Sequence, residues 1–350
     1  MILLREARES DLDSLLRFAQ IPGMFNLPGD PDAFRERIRR SHESFREKTG
    51  GLPSSKFTFV AEDLKNGQIL ATSMIASQHG TAESPHFYFQ VGHEKRFSET
   101  INTGFIHGTL TLGYDTDGPS EIGALVVDPD ARNSAETRIG RQISFVRFLY
   151  VAGHPQRFRP KIIAELLPPL NKRGLSPLWE AIGRRFTSMD YWEADELCAK
   201  NKDFIFDLFP SGKIYTTFLP AEARNAIGKV GKDTEPVVHM LKKIGFEYRN
   251  QVDPFDGGPH LWADVEKIVP IRKSRVLRWS DRLPEGSDAA PEPGLLTSAK
   301  ENEEFRAFSV EARIAGEEIS VKNHSPGESG TIEEMLAVRP GDSVLFMPYY

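Results

Sequence analysis

Apolar positions along the chain recur with two different periods, and the switches between them mark out strands and helices. Ile2 to Ala7 reads as a short strand, after which Ser10 offers an N-cap and Leu12, Leu15, Leu16 and Ala19 recur at helical spacing. The stretch from Pro31 to Lys48 predicts a second helix, with Phe34, Ile38 and Phe45 on its apolar side. Lys56 to Glu62 alternates as a half-buried strand does, Asn66-Gly67 supplies a hairpin turn, and Ile69 to Ala76 returns. Residues 79–120 read as loop-rich, with a strand at Phe87 to Gly92. Glu121 to Val127 is largely apolar and is stopped by Asp128-Pro129, which predicts a buried strand. An amphipathic helix follows, with Ile139, Ile143, Val146 and Tyr150 on one side and Arg138, Arg141 and Arg147 elsewhere. Lys161 to Leu167 is another strand, and Ser176 to Phe186 a helix with Pro177 in its first turn. Thr234 is placed to cap a helix carrying Val237, Val238, Leu241 and Ile244, which Gly245 ends.

This order predicts an α/β (α+β) fold, a mixed and largely antiparallel sheet flanked by helices. Residues 280–294, rich in Pro, Gly and acids, read as a linker. Beyond them, residues 295–350 read as a small β-rich module with a turn at Pro340-Gly341-Asp342. The expected division is a core over 1–190, the rest of the body over 191–279, the linker, and the tail.

The chain has 350 residues, 39% hydrophobic and 27% charged, enough apolar material for a sizeable core and too much for wholesale disorder. Its net charge of −6 argues against a nucleic-acid partner held by a basic field. The basic cluster Arg35 to Arg40 is interleaved with acids and reads as a solvated helix face. Cys198 is the sole cysteine, which excludes an intrachain disulfide and a thiolate-rich metal site. No apolar run is long enough for a membrane span or a signal peptide, so no membrane partner is expected and the cytoplasm is the expected location.

The strand at 121–127, its loop and the following helix carry the clearest candidate chemistry. Acyl-CoA transferases of the GNAT type place their cofactor on such a unit. A strand edge at Leu125, Val126 and Val127 offers backbone groups to the amides of a pantetheine arm. The helix N-terminus points unpaired N–H groups and a positive dipole at a pyrophosphate, where Arg138 and Arg141, with Arg132, add charge and Gly140 permits close approach. The nine histidines show no two-histidine zinc spacing, so no metal is expected. Among them His260, beside a glycine turn, is the candidate for a catalytic role.

Several segments together resemble the arginine N-succinyltransferase family, which includes arginine and ornithine succinyltransferases. They are Gly118-Pro119-Ser120-Glu121 with Leu125, Arg147-Phe148-Leu149, Ile163-Ala164-Glu165, and Ser176 to Phe186 with Met189-Asp190-Tyr191. Most specific are Ala226-Ile227-Gly228-Lys229-Val230, Phe255-Asp256-Gly257-Gly258-Pro259 and Ile271 to Arg275, and the similarity continues in the tail. The resemblance implies a GNAT-like acyl-CoA N-acyltransferase fold and transfer of a succinyl group from succinyl-CoA to the α-amine of arginine, in arginine catabolism. It implies that Leu125 touches succinyl-CoA and, by position within the matching motifs, that Glu121 and Glu165 bind the cationic acceptor or orient its amine. It also implies a homo- or hetero-oligomer, since some members are assembled from two related chains.

Four positions depart from the family pattern. The family's proton-donating histidine follows Ile-Gly in a Val-His-Pro pattern, and here the stretch is Val230-Gly231-Lys232. Leu167 stands where the family has an arginine, Gln90 replaces the arginine of a Tyr-Arg-Val-Gly segment, and a phosphate-loop glycine is replaced near Arg138. The lost arginines are carboxylate clamps in kind. They favour one alternative to the family reaction, an N-acyltransferase for another acyl group or amine, while retained cofactor features with a lost acid suit a second, a non-catalytic subunit of a hetero-oligomeric succinyltransferase.

Overall fold

The computed structural model describes residues 1–21, 27, 29–47, 53, 55–132, 138–171, 173–198, 201–282, 290–300, 304–321 and 330–350. In chain order the strands are β1 (Ile2–Glu6), β2 (Lys56–Asp63), β3 (Gln68–Ala76), β4 (His86–Ser98), β5 (Thr103–Asp115), β6 (Ser120–Val127), β7 (Lys161–Glu165) and β8 (Ile214–Tyr215). They continue as β9 (Glu247–Val252), β10 (Pro259–Asp264), β11 (Arg275–Trp279), β12 (Glu292–Ser298), β13 (Arg306–Ala315), β14 (Glu318–Val321) and β15 (Ser343–Pro348). The helices that matter below are α1 (Leu12–Ala19), α2 (Pro31–Arg46) and α3 (Ile139–Gly153). No helix among the described residues is long and apolar enough to cross a membrane.

The chain divides into two compact units, one made of 1–77, 122–160 and 265–350, the other of 78–121 and 161–264. In the first unit β1, β2, β3 and β6 form a sheet with β13 on the free side of β1. The β2–β3 hairpin turns at Asn66-Gly67 as its sequence requires, with Gly67 at φ 70°. The apolar stripe of α1 (Leu12, Leu15, Phe18) and that of α2 (Phe34, Ile38) bury against Val60, Ile69, Met74 and Val126 of the sheet. Asp30 caps α2, accepting a hydrogen bond from the Ala33 N–H.

The C-terminal strands of this unit depart from the expected tail. β11, β12, β13, β14 and β15 close on themselves, because β12 pairs with both β15 and β13. Their interior holds Leu277, Trp279, Leu296, Phe308, Val310, Ile319, Val344 and Phe346, joined by Leu3 of β1. The small barrel thus begins at Arg275 rather than at 295, and it is tied to the N-terminal sheet by Leu3↔Phe308, Leu4↔Ala307 and Arg5↔Arg306. Of the expected linker, residues 283–289 lie outside the described residues, while Glu292 to Gly294 already belong to β12. Pro293 and Gly294 thus pair within the barrel rather than link two domains.

In the second unit the sheet order is β7-β10-β9-β4-β5-β8. The stretch expected to be loop-rich holds β4 and β5 in continuous antiparallel register from His86↔Asp115 to Ser98↔Thr103. Its distal half leaves Phe97, Phe105 and Ile106 exposed, so the alternation that betrays a half-buried strand is missing from the sequence. The helix expected over Ser176–Phe186 is two short ones, α4 (Pro177–Ala181) and α5 (Gly183–Thr187), broken at Ile182 with φ −123° and ψ −73°.

Candidate functional site

In the first unit β6 carries Leu125 and Val127 half-buried on one face and Ala124 and Val126 buried on the other. Ala124 has φ 49°, a left-handed residue inside a strand, which interrupts a regular ladder. Arg138 is the N-cap of α3, also left-handed (φ 44°, ψ 43°), and its side chain caps no N–H. The first-turn amides of α3 therefore receive no cap from the N-cap side chain. A Cβ on Gly140 would meet Val127 Cγ2 at 3.5 Å, an ordinary contact, so packing within the protein does not itself demand glycine. Arg141 lies over the Tyr349 ring and donates to the Tyr350 carbonyl at 2.9 Å, so its guanidinium is engaged by the C-terminal residues. Arg132 donates from Nε to the Val127 carbonyl at 3.1 Å. Residues 133–137, between these arginines, lie outside the described residues.

The second unit gathers a different constellation. Glu165 ends β7, and the antiparallel register sets it directly opposite His260 of β10. The first residues of β6 run parallel to β7, with Glu121 opposite Ile163. His86 opens β4 opposite Asp115, and His79 lies in the preceding loop. Two glycines of the family-like motifs make this approach possible. A Cβ on Gly118 would lie 2.0 Å from the His79 carbonyl oxygen, and one on Gly258 would lie 2.0 Å from that of Leu166, both impossible for any other residue without a backbone shift.

The side chains meet around Glu165. Its Oε1 lies 3.3 Å from His79 Nε2, 3.1 Å from His86 Nε2 and 3.7 Å from His260 Nε2. His79 Nδ1 lies 3.1 Å from Glu121 Oε2, so one imidazole bridges two carboxylates. Burial alone would lower the His79 pKa, but Glu121 and Glu165 prevail and raise it to about 9. Burial would raise Glu165, and the charge of His79 with its hydrogen bond holds it well below the usual carboxylate range. His260, fully buried, is pushed down to about 3 by desolvation and is neutral at pH 7.

A group of buried and partly buried acids adjoins this cluster. One atom each of Asp253, Glu165 and His260 lie within 4.8 Å of one another. Asp253 accepts from the N–H groups of Phe255 and Asp256, and Asp256 from that of Gly258, so both carboxylates also shape the Asp256-Gly257-Gly258 turn. Burial and the charge of Glu165 push Asp253 up to about 7, burial and Asp253 raise Asp256 well above its usual value, and burial raises Asp195 to about 6. Such a set of carboxylates attracts a cation.

Of the residues singled out in the sequence, Glu121, Glu165 and His260 fall within this one cluster. Leu125, Val126, Val127, Arg138, Gly140 and Arg141 lie on β6 and α3 of the first unit. A Cβ on Gly231 would make only ordinary contacts, the nearest to the Pro168 carbonyl oxygen at 3.5 Å, and its N–H bonds the Leu167 carbonyl, just beyond Glu165. Sequence reasoning missed His79, His86, Asp253 and Asp256. The only sequence signal for them is indirect: the glycine motifs whose missing side chains let these segments touch.

The sequence profile of the family described as arginine N-succinyltransferase beta subunit matches residues 2–270. Arginine N-succinyltransferases of Shigella dysenteriae serotype 1 and of Escherichia coli K12 are each 34% identical to the chain over 324 residues, 91% of both sequences. The structure is similar to that of arginine/ornithine succinyltransferase subunit AI from Pseudomonas aeruginosa, with a TM-score of 0.81, 28% identity, and 99% and 98% of the two chains covered.

Proposed function

Because this chain belongs to the arginine N-succinyltransferase family, we propose that it is an acyl-CoA-dependent N-acyltransferase of arginine catabolism, transferring a succinyl group from succinyl-CoA to the α-amine of arginine or a related amino acid in the cytoplasm. The observation that carries the acceptor side is the acidic group of partly buried Asp195 and Asp253 and buried Asp256 beside Glu165. A guanidinium or ammonium entering there restores the ionised carboxylates that burial otherwise opposes. Glu121 and Glu165, bridged by His79, add their charge to that field as one network rather than as two separate carboxylates.

The donor side rests on β6 and α3. The backbone of Leu125 to Val127 receives the pantetheine amides, and the first turn of α3 with Arg138 and Gly140 receives the pyrophosphate, Arg141 lending charge from its place over Tyr349. The reaction needs an unprotonated amine near the thioester carbonyl, donors for the developing oxyanion, and release of a thiolate. Gly231 supplies no proton, and His260, neutral with a pKa near 3, is a weak base. The coenzyme A thiolate is a stable leaving group, so water suffices to protonate it, at the expense of rate.

A second reading has a specific observation in its favour: the matching family is described as a beta subunit and the similar structure as a subunit. In that reading the chain is a non-catalytic member of a hetero-oligomer. Incubation of the purified chain with a panel of acyl-CoAs and amino acids, following thiol release, separates the two. Turnover with succinyl-CoA and arginine supports the transferase, and turnover with another pair redefines its substrates. Tight acyl-CoA binding without turnover favours the subunit. Neither binding nor turnover overturns both.

A further inference from the structure

The histidine cluster of the second unit has a geometry that acyl transfer does not require. Glu165 Oε1 stands 3.3 Å from His79 Nε2 and 3.1 Å from His86 Nε2, and one ligand atom from each of the three lies within 4.8 Å of the others. Donor atoms around a tetrahedral ion with bonds of about 2.0–2.1 Å are separated by about 3.3–3.4 Å. Each imidazole also has a carboxylate behind its far nitrogen: Glu121 Oε2 at 3.1 Å from His79 Nδ1, and Asp115 Oδ2 at 3.8 Å from His86 Nδ1. At 3.1 Å the Glu121 carboxylate holds the His79 Nδ1 proton and fixes the ring so that an ion displacing the Nε2 proton finds that nitrogen facing it, while Asp115, beyond hydrogen-bond distance, adds only its charge beside His86.

A second observation is independent of these distances. His86 is 1% exposed and His260 0%, and none of their four ring nitrogens has a well-aligned hydrogen-bond partner. Buried polar nitrogens are rarely left unsatisfied, and Nε2 of His86 points its unused capacity at the same oxygen that His79 faces.

We propose that His79, His86 and Glu165 bind a divalent transition-metal ion through Nε2, Nε2 and Oε1. Two imidazoles and one carboxylate form a borderline donor set, suited to zinc, cobalt(II) or iron(II) rather than to calcium or magnesium, which take oxygen ligands. Three protein ligands leave a coordination position open to water or substrate. The proposal does not rest on the transferase reading, and it is tested without turnover.

The full chain, stripped with a chelator and dialysed, is titrated with Zn²⁺ by calorimetry and with Co²⁺ by visible absorption. The expected result is about one equivalent of each ion, with Co²⁺ showing the intense d–d bands of a four- or five-coordinate site. His86→Ala and Glu165→Gln are expected to lose at least about 100-fold in affinity, and Glu121→Gln, which loosens His79, about 10–100-fold. His239→Ala, at an exposed helical histidine bonded to the Glu235 carbonyl, should change nothing. Circular dichroism reports whether each variant folds, and His86→Gln replaces His86→Ala if the latter does not. No uptake by the native chain, a Co²⁺ spectrum without those bands, or uptake unaltered in folded His86 and Glu165 variants overturns the proposal.

Discussion

The guanidinium of Arg141 lies 4.2 Å from the centroid of the Tyr349 ring, a residue more than two hundred positions away in sequence. An exposed or half-buried pair of this kind contributes about 0.5–2 kcal/mol. Arg141→Ala is therefore expected to lower the melting temperature by a few degrees, read by calorimetry. Arg138 has the opposite profile. It occupies a left-handed position that favours glycine, so Arg138→Gly should leave stability unchanged or raise it by about 1 kcal/mol while weakening CoA binding and flattening its salt dependence. Unchanged CoA affinity in Arg138→Gly would remove the pyrophosphate assignment.

A chain ended after Trp279 keeps β11 but loses β14 and β15, the strands on either side of it, and uncovers Leu3, Leu277 and Trp279. We expect it to aggregate, as an unpaired apolar edge does. Size-exclusion chromatography showing a soluble monomer with a cooperative melt would contradict this. Within the intact barrel, Phe308→Ala should destabilise by about 3–5 kcal/mol in urea unfolding.

How far the sequence reveals this molecule depends on whether the cue is local. The β2–β3 hairpin, β6 and α3 each carry their own cue: a turn dipeptide, an apolar run stopped by Asp-Pro, a helical stripe. In the β4–β5 hairpin only Phe87 to Gly92 carries one, because the distal side chains face solvent and only pairing with the other strand orders them. The break at Ile182 likewise depends on packing: a Cβ on Gly183 would fall 2.2 Å from the Trp179 ring. In the site, motif positions pointed to Glu121 and Glu165. His79 and His86 stand seven residues apart, and they meet Glu165 only through strand register between distant segments, which no spacing rule encodes.

Gly231→His should raise turnover. The Cβ has room, and an added general acid is worth up to about 10²–10⁴-fold. Steady-state thiol release gives the ratio of kcat values. If wild type turns over and the folded variant is no faster, the proton reaches the thiolate by another route.

Asp195 predicts a pH dependence. Its pKa rises on folding from 3.8 to about 6 because burial penalises the charge. Between about pH 4 and pH 6 the unfolded chain releases this proton first, so stability falls as pH rises through that window and stays lower above it. Asp195→Asn should therefore be more stable than wild type at pH 8, by about 1–2 kcal/mol after allowing for partial exposure, and equal to it near pH 3.5. Urea titrations at the two pH values check the sign. A gain at pH 3.5 as large as at pH 8 would refute it.

Cys198 is pushed up to about 12 by burial. At pH 8 its thiolate fraction falls to about 10⁻⁴, so alkylation by iodoacetamide should be at least about 100-fold slower than in the urea-unfolded chain. Mass spectrometry over time gives both rates, and equal rates would contradict the burial.

The pairing of β1 with β13 also has a meaning for the newborn chain. Leu3 and its partner Phe308 are separated by almost the whole sequence, and a contact of that span closes late. While the ribosome is still at work, β1 and β2 can join early, and every residue of the second unit emerges before the barrel does. The open side of β1 must then wait, a bare strand edge among nascent neighbours. For that interval the chain is a natural client for a chaperone, and slowing translation ahead of residue 275 would lengthen its exposure.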